Sequence, residues 1–158
     1  MAIFLEIEDI DGSVTAAGHE DWIEVDSLQW GVGRAIASGI GTAADRESSK
    51  PSISEISLSK MMDASSPLIF TEACVGVSQL VTIHLCKTGE EDLETYMEYE
   101  LTNCMISGYS VSSGGDRPTE TISLSFTQMV MTYTPSDSEG AGGDPIPAGY
   151  DMELGTKV

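Results

Sequence analysis

Basic side chains are scarce in this chain. Seven Lys and Arg stand against 26 Asp and Glu in 158 residues, a formal net charge of −19. Phosphate-backbone binding depends on cations that displace counterions, so no nucleic-acid partner is expected. Cysteine is nearly as sparse. Cys74, Cys86 and Cys104 make an odd count with no CxxC spacing, and each lies beside apolar residues. They read as buried free thiols rather than as a disulfide framework or a redox pair. Of the two histidines, His19 opens a His-Glu-Asp run and His84 sits mid-strand on the polar parity; no ligand spacing repeats, so no metal site is expected. Apolar runs fall well short of twenty residues, which argues against a membrane-spanning helix. The start, MAIFLEIEDIDG, lacks a basic region and a cleavable apolar segment, so the expectation is a chain folded in the cytoplasm without a Sec-type signal peptide. Gly31-Val32-Gly33 follows a strand, but Ile36 stands where a dinucleotide fingerprint needs glycine. A GxSxG elbow is missing too, and no catalytic constellation emerges. The expectation is a protein that is not an enzyme and holds no cofactor.

What is present is strand after strand. Ile3, Leu5 and Ile7 alternate with Phe4, Glu6 and Glu8, and Asp11-Gly12 ends the run. From Trp22 to Trp30 the apolar parity switches at Asp26-Ser27, which predicts a bulge or corner. Ser52–Lys60 has Ile56 and Leu58 facing in, with Ser57 and Ser59 facing out. A short helix is predicted over about 66–75, with Ser66 as cap, Pro67 at its first position and Gly76 closing it in the left-handed conformation. Leu68, Ile69, Ala73 and Phe70 are its expected inward face. Further strands read at 77–86, 96–104 and 106–111, and a last short one at 150–154. The fold class is therefore mainly β: two antiparallel sheets in a barrel or sandwich, one short flanking helix and a single domain over 1–158.

Two stretches point to function. The strand Thr119–Tyr133 puts Ile122, Leu124 and Phe126 on one face and the small hydroxyls Thr121, Ser123, Ser125 and Thr127 on the other. Past Gln128 the parity reverses, as at a bulge or where a strand leaves one neighbour for another. With Ser57 and Ser59 these residues form a neutral, wet face suited to a channel wall or a subunit contact. The second stretch is the Gly-, Ala- and Ser-rich loop of about 31–51, where the strand pattern stops. It carries Arg34, Arg46 and Lys50, three of the seven basic residues. One reading is a solvated loop; the other is an arm whose positive charges dock on the acidic surface of another copy.

The order of motifs resembles a known family. FLEIEDIDG is followed by His19-x-x-Trp22-Ile-Glu-Val-x-Ser-Leu-x-Trp30-Gly, then by the Gly-rich loop. Next come Ser57-Leu-Ser-Lys-x-x-Asp63-x-Ser-Ser-Pro67-Leu, the Thr119-Glu-Thr-Ile-Ser-Leu-Ser-Phe126 strand and a Gly-Tyr-Asp-Met tail. Together they resemble Hcp, the haemolysin-coregulated protein, inner-tube subunit of the bacterial type VI secretion system. The resemblance covers nearly the whole chain. It implies a hexameric ring, rings stacked into a hollow tube, a spike protein and a contractile sheath as partners, and effectors carried in the lumen. It also implies secretion by the apparatus itself. Two positions depart from the family pattern: Leu28 stands where a tryptophan is usual, and Glu6 where a basic residue is common. Two other readings stand beside this one: the tail-tube subunit of a phage-like contractile injection system, and a monomeric β-sandwich that binds a small ligand.

Overall fold

A computed structural model describes residues 1–37, 48–136 and 142–158. Its first sheet is built from β1 (Ala2–Ile7), β2 (Ile23–Val25), β7 (Gln79–Thr88), β8 (Leu93–Ser112), β10 (Gln128–Tyr133), β11 (Ile146–Asp151) and β12 (Thr156–Lys157). They lie in the order β12-β11-β10-β8-β7-β1-β2, and the pairs are antiparallel. β3 (Ser27–Gln29), β6 (Ile56–Met61) and β9 (Thr119–Ser125) form the second sheet with the far half of β8, in the order β3-β6-β9-β8. The two sheets face each other across one core, as a sandwich.

Strands that serve both sheets make the corners. β8 is 20 residues long; straight, it would reach ~66 Å, against a diameter of ~40 Å for a chain of this length. It bends instead. Asn103 takes a left-handed φ of 51°, and the register slips between Ile106 and Gly108. Asparagine tolerates that conformation better than most side chains. The parity switch at Asp26-Ser27 is the turn from β2 into β3. The parity reversal near Gln128 is likewise a change of partners: β9 pairs with β6 and β8, and β10 with β8 and β11.

Inward positions follow the period of two. Ile3, Leu5 and Ile7 of β1, Val81 and Ile83 of β7, Ile56 and Leu58 of β6, and Ile122 and Leu124 of β9 are buried together. Each such aliphatic side chain contributes ~1.5–3 kcal/mol by leaving water. Gly12 lets the β1–β2 connection lie close: a Cβ there would sit 2.3 Å from the Trp22 carbonyl oxygen.

Several expectations need correcting. The 31–51 stretch is not strand-free: β4 (Val32–Gly33) pairs with β5 (Ser52–Ile53), and Ile36 bridges to Ser48. The expected strand 52–60 accordingly breaks between β5 and β6. The helix, α1 (Ser66–Val75), has the expected span, but Ser65 occupies its cap position without a side-chain cap bond, and Gly76 is extended at φ −67°, ψ 159°. Gly76 instead closes the helix by donating its N–H to the Glu72 carbonyl. Ile69 is buried, whereas Leu68 and Phe70 are exposed, because α1 packs against β8 with only a narrow face, Ser66 and Ile69, turned inward. Cys86 and Cys104 are buried and free; Cys74, on α1, is exposed. Among the described residues no helix is long and apolar enough to cross a membrane.

Candidate assembly surfaces

The hydroxyl residues of the second sheet assemble into a face wider than the two strands that predicted it. Register places Ser27, Ser59, Thr121 and Ser110 side by side across β3, β6, β9 and β8. Next to that row lie Gln29, Ser57, Ser123 and Gly108. Ser27 and Ser59 share a hydrogen bond of 2.5 Å. Ser125 extends the face to Met105 of β8. Thr127 does not join it. That side chain lies at the β9–β10 corner, where it bonds Asn103 Nδ2 at 3.2 Å and the Thr102 carbonyl at 3.4 Å. The outer face of the first sheet contrasts with this neutral one: Glu6, Glu24, Glu98 and Glu100 all lie on it, opposite the core parity.

Arg34 and Lys50 are exposed, both at the end of the β4–β5 ribbon that continues to the Ile36–Ser48 bridge. The ribbon is fastened by Ser54, whose backbone N–H donates to the Gly31 carbonyl and whose hydroxyl accepts from the Gly31 N–H at 2.9 Å. Arg46, the third basic residue expected in this arm, lies outside the described residues.

Beneath the second sheet is a polar cluster that sequence reasoning missed. Lys60 and Glu120 share the inward parity of β6 and β9, and both side chains are 0% exposed. Lys60 Nζ donates to Glu120 Oε2 at 3.2 Å, to Asp63 Oδ1 at 3.0 Å and to the Met61 carbonyl at 2.9 Å. The Ser66 hydroxyl donates to the other Glu120 oxygen and accepts the Asp63 N–H at 3.0 Å. Asp63 also receives the N–H and hydroxyl of Ser65. Each ammonium proton thus has an acceptor, which a buried charge requires. Nearby, burial and then the charge of Glu120 push the Tyr109 phenol above its usual range. The signal was available: Lys60 continues Ile56 and Leu58, and Glu120 precedes Ile122 and Leu124. Two opposite charges on apolar parities of different strands ask for each other.

α1 leaves apolar surface uncovered. Phe70 is 58% exposed, Val75 76% and Val77 71%. Phe70, Ala73 and Cys74 line a cleft whose other wall is Ser107–Val111 of β8. In this half β8 pairs with β9 alone among the described residues, so its other edge is open.

These features belong to a fold with known relatives. The family described as "Type VI secretion system effector, Hcp" matches residues 4–133. The chain belongs to the Hcp family. It is 26% identical to Protein hcp1 of Pseudomonas aeruginosa over 154 residues, covering 95% of this chain and 94% of that protein. It superposes on a solved structure described as a type six secretion system protein with a TM-score of 0.90, at 26% identity and 99% coverage of both chains. Hcp1 from Salmonella typhimurium shares the fold at a TM-score of 0.79, with 24% identity and coverage of 99% and 98%. The function is accordingly that of a structural subunit of the type VI secretion tube. The residues by which the sequence resembles Hcp also acquire a physical meaning. Lys60, Asp63, Ser65 and Ser66 of one motif and Glu120 of the other are the members of the buried cluster. They tie the start of α1 to the second sheet.

Proposed function

We propose that six copies of this chain close into a ring and that rings stack into a hollow tube, folded in the cytoplasm and exported by the type VI apparatus. The Hcp match across residues 4–133 carries this reading. Two surfaces support it. The strip of Phe70, Val75 and Val77 beside the open edge of β8 is apolar surface that asks for cover, and we assign it to the contact within the ring. The face of Ser57, Ser59, Thr121, Ser123 and Ser125 needs no cover; we assign it to the lumen, where a neutral wall lets effectors pass. Arg34, Arg46 and Lys50 then contact acidic residues of the next ring. Spike and sheath proteins are the remaining partners. The protein does no chemistry of its own.

Light scattering and electron microscopy of the purified chain test this reading. Rings of six are expected. A monomer at all concentrations and salts refutes it and favours the monomeric binding module.

A further inference from the structure

A second polar cluster lies outside the core, on the acidic face of the first sheet. His19, in the β1–β2 connection, is 5% exposed. Its ring stacks on Phe4 at 4.6 Å and meets Trp22 edge-on at 4.8 Å. Its Nε2 lies 2.9 Å from His84 Nδ1, and His84 Nε2 lies 2.7 Å from Glu98 Oε2. Cys86, fully buried beside them, has its Sγ 3.8 Å from His19 Nε2 and 3.4 Å from Thr95 Oγ1. Thr95 Oγ1 is also 3.4 Å from His84 Nδ1. The connection is otherwise bonded largely to itself and to the start of β2: Gly12 to Asp21, Val14 to Trp22, and His19 to Ala16. Ile10 anchors its start in the main core and Ser13 accepts the Ala64 N–H at 3.4 Å; the part around His19 is fastened to the sheet through these rings.

The hydrogen bonds fix the protons. The Glu98 carboxylate accepts, so His84 carries its proton on Nε2, and its Nδ1 accepts from His19 Nε2–H. His19 Nδ1 then bears a lone pair, and it is buried without a partner. A proton added to His19 sits on this buried Nδ1, where the Ala17 backbone offers it an acceptor but burial opposes the charge. We propose that the β1–β2 connection is an acid-released cover over Cys86, opened when His19 takes up a proton, which makes that thiol a modification site at low pH and a protected one at neutral pH. Burial, then the facing charge of His84, lowers the His19 pKa below its usual value, against the opposing pull of the Ala17 backbone, Glu20 and Glu6. Glu98 faces the pair from β8, and Glu24 of β2 lies beside Phe4 in register. The sign follows. The open form binds protons more readily, so closure is complete above ~6.5 and weakens as pH falls through that value, levelling off below the lowered pKa of His19.

The three cysteines supply the test. Full-length protein is alkylated with N-ethylmaleimide between pH 7.5 and 5.5, and each thiol is followed by peptide mass spectrometry. Cys74, already exposed, corrects for the reagent's own pH dependence; Cys104, buried in the main core, reports global unfolding. The ratio of Cys86 to Cys74 labelling is expected to rise ~10-fold for one proton taken up, while Cys104 stays slow. H19Q, which keeps a donor but cannot titrate, is expected to abolish the rise. If the amide loosens the connection at neutral pH, H19F, which keeps the stack on Phe4, carries the same test. A flat ratio in the native chain, a parallel rise at Cys104, or a full pH response in the non-titrating variant overturns the proposal.

Discussion

Lys60→Met is the sharpest perturbation of the fold, because the buried cluster holds one cation against two carboxylates. Glu120 is 0% exposed and Asp63 11%. Removing the ammonium leaves Glu120 charged in the interior, with the hydroxyls of Ser66 and Tyr109 as its remaining partners and a second carboxylate close by. Breaking a buried pair from one side costs ~3–5 kcal/mol. Glu120→Gln is milder. Lys60 keeps Asp63 and the Met61 carbonyl as acceptors, the remaining charges balance one to one, and a loss of ~1–3 kcal/mol is expected. The order K60M worse than E120Q follows from that count of charges. Replacing both residues by apolar ones (K60M with E120L) removes the stranded charge and recovers much of the loss. The measurement is urea unfolding of each variant at one fixed protein concentration, since assembly shifts apparent stability, analysed as a double-mutant cycle. E120Q as damaging as K60M, or both within ~1 kcal/mol of the parent, refutes the reasoning.

Three further outcomes follow from the same geometry. Burial raises the Cys104 thiol from 9.0 to about 12, so the folded state holds a proton that the unfolded chain gives up. Stability therefore falls as pH rises through 9, by ~1.4 kcal/mol between pH 8 and 10, and C104A loses that part of the slope in alkaline unfolding curves. Phe70→Asp, on exposed helix surface, is expected to change folding stability by no more than ~0.5 kcal/mol yet to abolish rings in electron micrographs; intact rings remove the assigned contact. Arg34→Glu together with Lys50→Glu is expected to leave rings intact and shorten stacked tubes. Each exposed pair contributes ~0–1 kcal/mol, so the effect rests on repetition around the ring. Unchanged tube lengths at both low and high salt argue against the arm.

Much of the fold was legible in the order of residues because a strand writes its burial with a period of two. Ile3, Leu5 and Ile7, Ile56 and Leu58, and Ile122 and Leu124 were read as inward from alternation alone, and they are. Both parity switches marked real corners, since a strand that changes sheets must turn its other face to the core. The hydroxyl face was half legible: Ser57, Ser59, Thr121, Ser123 and Ser125 showed their side, whereas Ser27 and Ser110 gave no local pattern strong enough to join them. Thr127 obeyed the parity but fell past the end of β9, so the corner claimed it.

By itself the sequence determined which side of each strand is dry, where the helix runs and which family the motifs resemble. Those are local properties, set by side-chain chemistry within a few residues. Pairings between distant positions were decided only by the tertiary structure. Sixty residues separate Lys60 from Glu120 and sixty-five separate His19 from His84; in each case two strand faces had to meet before either side chain had a partner. Phe4 and Cys86 make the point most simply. Both occupy the outward parity of the first sheet, yet both are buried, because a connection of the chain folds back over them.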